Sequence, residues 1–167
     1  MGRRLRKSLA LVALALGATL VVALVVPSAT LGDNEHGRSV HGAGTTLVEG
    51  GTGSPSFDPI LTKVGFYWRG GSGQFECLAL APSAKAGTPG SGNFDTNIMY
   101  VTGAITSVEV EGRTAVLKGS ATVTGAGAGK NQPFTATVSR GGPGATLVLE
   151  VSGLTFKEIL LEGQFSI

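Results

Sequence analysis

The stretch Ile105 to Gly125, ITSVEVEGRTAVLKGSATVTG, constrains the fold more than any other part of the chain. Apolar and polar residues alternate on both sides of Gly112-Arg113. Alternation places successive side chains on opposite faces of an extended strand. A glycine-containing pair between two alternating runs is the signature of a tight hairpin turn. The pattern recurs in TATVSRGGPGATLVLEV, where Gly141 to Gly144 supply a longer loop. Ala115, Leu117, Ala121 and Val123 fall on one face, as do Phe134, Ala136 and Val138, and again Leu147, Leu149 and Val151. Their neighbours are largely Thr, Ser, Lys and Glu. Burial of one face only belongs to antiparallel sheets.

Glycine punctuates the rest of the chain at short intervals, with Val, Thr, Ile, Phe and Leu between, so the strand-and-turn texture extends throughout. Strands are expected at Val40–Glu49, at Ile60–Arg69 with Val64, Phe66 and Trp68 on one face, and at Gln74–Ala81. A loop rich in Pro, Ala, Ser and Gly runs from Ala81 to Asn93. A long fourth strand follows at Asn97–Val110, or two strands broken near Gly103. Thr114–Thr124, Pro133–Arg140, Ala145–Ser152 and a last strand at Leu161–Ile167 complete the set. LTFKEILLE spaces Phe156, Ile159 and Leu160 as a helix would, but is too short for one, and reads as a turn or single helical turn. Seven or eight antiparallel strands must cover their edges, either by closing into a small barrel or by forming a two-sheet β-sandwich. Glycine-rich strands bend sharply enough for barrel corners. A last strand apolar at Leu161, Gly163, Phe165 and Ile167 is safer paired with the first strand than left open. The barrel is the expected architecture.

The N-terminus sets the compartment. MGRRLRKSLALVALALGATLVVALVVPSAT has a basic start, an uncharged run from Leu9 to Val26, and Pro27-Ser28-Ala29 as a helix break with small residues for a signal peptidase. Residues 1–29 are expected to be a signal peptide, residues 30–39 a flexible leader, and residues 40–167 a single all-β domain exported from the cell. The alternative is an uncleaved N-terminal helix that anchors the domain outside, since the run reaches the lower limit for a span. No cysteine closely follows the run to carry a lipid, and the closing QFSI suggests no second anchor. The formal charge of the whole chain is +2, and the signal segment holds four of its 13 basic residues, which leaves nine against 11 acidic ones. With no basic cluster after residue 29, nucleic-acid binding is not expected.

The exported part offers little chemistry. Cys77 is the only cysteine, and QFECLAL puts it on a face with Phe75 and Ala79. It reads as a buried small hydrophobe rather than as a reactive thiol or half of an intermolecular disulfide. His36 and His41, near Asp33 and Glu35, lack the four spaced ligands of a structural zinc site, and DNEHGR is not a calcium loop. Ser72 and Ser91 sit between glycines without completing a nucleophile elbow. Gly125–Asn131 lacks the spacing, the Ser/Thr and the following helix of a phosphate loop. Glu109 and Glu111 are expected on the solvent face, while Glu76 and Asp95 flank the long loop and are the one carboxylate pair that could approach. Neither cofactor nor metal is implied. Tyr67, Trp68 and Tyr100 could line a groove, although Trp68 with Phe66 fits a core better.

The succession HGAGT, GFYWRGGSGQFECLAL, ITSVEVEGRTAVLKGSATVTG, PFTATV and EGQFSI resembles the post-COAP type of domain, glycine-rich β domains of bacterial secreted proteins without an assigned activity. The resemblance spans about residues 40 to 167 and is strongest in the hairpin Ile105–Gly125. It departs in HGAG, where a longer glycine run is usual, and in the segment from Ala81 to Val101. It implies an exported, non-enzymatic β domain and supplies no catalytic residues. Three functions follow as expectations. The first is a secreted, non-catalytic domain that binds protein or glycan at or outside the cell surface, or plays a structural part there. The second is a barrel that carries a small apolar ligand, lined by Phe66, Trp68, Phe134 and Phe165. The third is a secreted enzyme working through Glu76 and Asp95.

Overall fold

The computed structural model describes residues 39–49, 59–85 and 87–167. The signal segment 1–29, His36 and all of the leader except Ser39 lie outside the described residues. Eight strands follow in order: β1 Ser39–Val48, β2 Leu61–Arg69, β3 Ser72–Pro82, β4 Phe94–Glu111, β5 Thr114–Gly125, β6 Gly129–Ser139, β7 Thr146–Val151 and β8 Leu154–Ser166. Each pairs antiparallel with its neighbours in sequence, and β8 returns to pair with β1, which closes the sheet into a barrel. The all-β expectation and the barrel are both met, and the sandwich is not. Closure removes the two open edges that a flat meander would leave.

The alternation read from the sequence is the inside–outside alternation of this barrel. Val64, Phe66 and Trp68 of β2, Phe75, Cys77 and Ala79 of β3, and Leu147, Leu149 and Val151 of β7 are all buried. On β5, Ala115, Leu117, Ala121 and Val123 face in, while Lys118, Ser120, Thr122 and Thr124 face water. An apolar interior and a polar exterior invert what a barrel in lipid requires. Gly112-Arg113 forms the two-residue β4–β5 turn, with Gly112 in the left-handed region at φ 58°.

Glycine also serves the interior. A Cβ on Gly42 would come within 2.6 Å of the Phe165 ring and 2.7 Å of the Phe66 ring. Those two rings lie 5.3 Å apart between centroids, packed over the gap that Gly42 leaves. Gly119 likewise makes room for Phe134, which stacks on Phe75 at 5.1 Å. Small residues beside large ones fill a narrow barrel without voids.

Three expectations are corrected. The fourth strand is one strand and does not break at Gly103; its irregularity is a bulge at Thr106, since Ile105 faces Gly119 while Ser107 faces Lys118. LTFKEILLE is neither a turn nor a helical turn; most of it is the first half of β8, whose strand starts at Leu154 rather than near Leu161. The last strand does not hold one phase either. Thr45 faces Glu162 and Thr46 faces Leu160, so Leu161 is an extra residue in β8. Before that bulge Glu158 and Leu160 point inward; after it Phe165 does, and Leu161 is 47% exposed. A bulge shifts the pairing by one, and a shift of one exchanges the faces.

Candidate functional site

The inward half of β8 places a carboxyl group inside the barrel. Glu158 is 1% exposed and is the only buried charged residue type among the described residues. Its neighbours come from the first two strands. Thr46 of β1 lies directly opposite Thr62 of β2, and Val48, one inward position along from Thr46, faces Glu158 itself. Both threonines are fully buried, and both hydroxyls are positioned to donate to Glu158 Oε2, that of Thr62 at 2.5 Å. The two hydroxyls also contact each other. Thr46 Oγ1, Thr62 Oγ1 and Glu158 Oε2 therefore form a closed triangle. The second carboxyl oxygen, Oε1, has no hydrogen-bond partner among the described residues.

Cys77 of β3 completes the cluster. Its thiol is free and buried, beside Thr62 and Glu158 at the same cavity. Burial pushes the Cys77 thiol far above its ordinary range, and the nearby Glu158 pushes it further; the Thr62 contact opposes them. A thiol so held is no thiolate at neutral pH and is a poor nucleophile. Burial likewise raises Glu158 above the usual carboxylate range, while the hydroxyls of Thr46 and Thr62 act in the opposite direction. The direction follows from physics, because an ionised carboxylate in an apolar interior loses far more hydration than two hydroxyls restore.

A cavity of about 40 Å3 adjoins this cluster. Met99, Val101, Leu149 and Ala79 give it an almost wholly apolar surface, and Glu158, Thr62 and Cys77 border it without exposing appreciable polar surface to it. Its outer rim is formed by the partly exposed Val48, Ile60, Ile98 and Phe156, with Ala126 from the β5–β6 turn. The volume admits about two or three waters, far less than the several hundred Å3 of a drug-sized site.

Of the residues singled out from the sequence, Cys77 is here, buried as expected, and the others lie elsewhere. Phe66, Trp68, Phe134 and Phe165 are all buried inside the barrel, but none of them lines this cavity. Phe66 is brought against Phe165 and Phe134 against Phe75, so these rings fill space rather than enclose it. Glu76 and Asp95 are both exposed. Glu76 faces Thr102, whereas Asp95 lies beyond Asn97 at the start of β4, roughly 20 Å further along the strand. Glu109 is exposed and pairs with Lys118 at 2.8 Å, and Glu111 is exposed as well. His41 sits on the outer face of β1, and no cluster of three or more metal-ligating His, Cys, Asp or Glu side chains occurs among the described residues. Sequence reasoning missed Glu158, Thr46 and Thr62. The available signal was Phe156-x-Glu158-x-Leu160, an alternating triplet with a carboxylate at its centre.

The fold and the site together define an eight-stranded up-and-down barrel with a filled interior and one buried carboxyl cluster at the rim of a small cavity. Compared with family models, with curated proteins and with solved structures, the chain finds no match in any of the three.

Proposed function

We propose that this barrel is an exported, non-catalytic binding domain that meets its partner, a protein or a glycan, with its outer surface. The observation that carries the reading is the filled interior: Phe66 on Phe165 and Phe75 on Phe134 occupy the barrel where a carried ligand would sit. A carrier of an apolar molecule would need that space. Burial raises both Glu158 and Cys77, so the thiol is not ionised at neutral pH, and the carboxyl meets hydroxyls rather than a base, which does not favour nucleophilic chemistry. On the outer face, Tyr67 is 58% exposed and lies in register between His41 of β1 and Gln74 of β3. An aromatic ring flanked by hydrogen-bonding side chains suits a glycan or a protein surface. The signal-like N-terminus supports export.

The test is the intact mass of the protein recovered from culture medium, measured first under native conditions. The expected species begins near Thr30 and carries no small molecule. A chain retained in cells with Met1 in place would refute export. A stoichiometric bound molecule of several hundred daltons would refute the filled-barrel reading in favour of a carrier.

A further inference from the structure

The outer face of β2, β3 and β4 carries an open groove of about 550 Å3. Its origin is one missing side chain. Val64 and Phe66 point into the barrel, so Gly65 between them faces out. A Cβ at Gly65 would meet nothing within 4 Å, and its neighbour across on β1 is the small Ala43. Larger side chains stand around this gap. Lys63 lies two residues away on β2, Leu78 lies opposite Lys63, and Tyr100 of β4 lies opposite Leu78. Glu76 lies opposite Gly65, and Asn97 joins the lining from β4. Leu78 and Tyr100 are half-buried and give the groove an apolar side, whereas Lys63, Glu76 and Asn97 are exposed.

The lining is mixed and electrically balanced. One ammonium and one carboxylate leave it without net charge, and the two are not bonded to each other. Lys63 donates to Thr45 Oγ1 at 2.8 Å, and the one salt bridge among the described residues joins Lys118 to Glu109. An ammonium has three donors, a carboxylate only accepts, and the Asn97 amide does both. The volume falls within the few hundred to about 1,000 Å3 of small-molecule sites. A closed barrel has no strand edge to which a peptide could add. An equatorially substituted pyranose presents an apolar C–H face bordered by hydroxyls, the complement of an apolar side bordered by donors and acceptors.

We propose that this groove binds an uncharged glycan of equatorially substituted pyranoses, one ring lying on Tyr100 and Leu78 with its hydroxyls bonded to Glu76, Asn97 and Lys63. The inference rests on the reading of the barrel as an outer-surface binding domain and narrows its partner to a glycan.

The experiment titrates the full chain at neutral pH with cellotriose, chitotriose and a heparin tetrasaccharide. The Gly65 amide, the Leu78 methyls and the Tyr100 ring are followed by NMR. The expected result is saturable shifts at all three positions with at least one neutral probe, and weaker binding of heparin. Gly65→Gln places a side chain in the open space of the groove and is expected to abolish the binding. Glu76→Gln is expected to weaken it about tenfold, as the loss of one hydrogen bond to a charged group predicts. No saturable shift with either neutral probe would overturn the proposal and leave the outer-surface reading to a protein partner. Undiminished binding by Gly65→Gln would overturn it too, as would tighter binding of heparin, which would make Lys63 alone the recognising group. Shifts confined to His41, Tyr67 and Gln74 would overturn this groove and leave an outer-surface binding domain standing. Shifts confined to Phe66 and Phe134 would put the sugar inside the barrel and overturn both. Glu76 is exposed, so its variant tests the groove independently should Gly65→Gln fail to fold.

Discussion

Replacing Glu158 by glutamine isolates the energetic consequence of the buried carboxyl. Gln keeps the shape and one acceptor but has no proton to lose. In the unfolded chain a glutamate titrates near 4.3. In the barrel its pKa is raised, with burial the largest cause. Between the two values the folded state holds one more proton than the unfolded state. The sign follows directly: stability from this group is fully present below about pH 4.3 and is lost as pH rises through the folded value. Within that window the slope approaches about 1.4 kcal/mol per pH unit, the linkage of a single proton. Glu158→Gln removes it. Urea unfolding of both proteins at each pH from 4 to 8 gives the difference between them, in which every other titrating group cancels. The wild type is expected to lose stability relative to the variant steadily above about pH 4.3, then run parallel to it once the folded value is passed. A difference that stays constant from pH 4 to 8 would mean that the carboxyl ionises inside the barrel as easily as outside. A difference that grows in favour of the wild type would mean that the threonine hydroxyls stabilise the charge more than burial opposes it. Either result would refute the reasoning.

Three further outcomes follow from the packing. Cys77 is 3% exposed, so a thiol reagent is expected to modify it only as fast as the barrel opens, and a native rate equal to the rate in denaturant would contradict its placement. Gly42→Val drives a side chain into the rings of Phe66 and Phe165 and is expected to cost at least about 1–3 kcal/mol by urea midpoint; a neutral result would mean that the rings are not packed there. Phe75→Ala, at a position with no exposed surface, is expected to cost about 3–5 kcal/mol, and the double variant with Phe134→Ala less than the sum of the two, because the first truncation already removes the stack.

Where the chain keeps one alternation from turn to turn, the sequence alone is enough. β2, β3, β5 and β7, and β6 from Phe134 onward, each present an unbroken inward set, and the hairpin at Gly112-Arg113 is marked by the residues that the turn geometry demands. Closure was legible too, though indirectly, as the need of a short final strand for a partner. The aromatic residues were recognised as interior. Their pairing was not, because it depends on Gly42 and Gly119 lying across from the rings in the closed sheet, a relation between strands that no single segment carries.

The site went unread for a different reason, and the reason is local. LTFKEILLEGQFSI contains two alternating sets, Phe156-Glu158-Leu160 and Phe165-Ile167, out of phase with each other by one residue. A period of two cannot join them, so carrying the second set backward turns Glu158 outward, and a helix-like spacing of Phe156, Ile159 and Leu160 then fits the remainder. The extra residue Leu161 resolves the conflict by letting β8 change face against an uninterrupted β1. Without it, either Phe165 or Leu160 would point into solvent. With it, both are buried, and the carboxyl two residues before Leu160 is carried inside as well, where only Thr46 and Thr62 can meet it. A glutamate enclosed in this way is expensive to keep ionised. The two threonines opposite each other on β1 and β2 donate to one of its oxygens and offset part of that cost, while its other oxygen is left without a partner among the described residues.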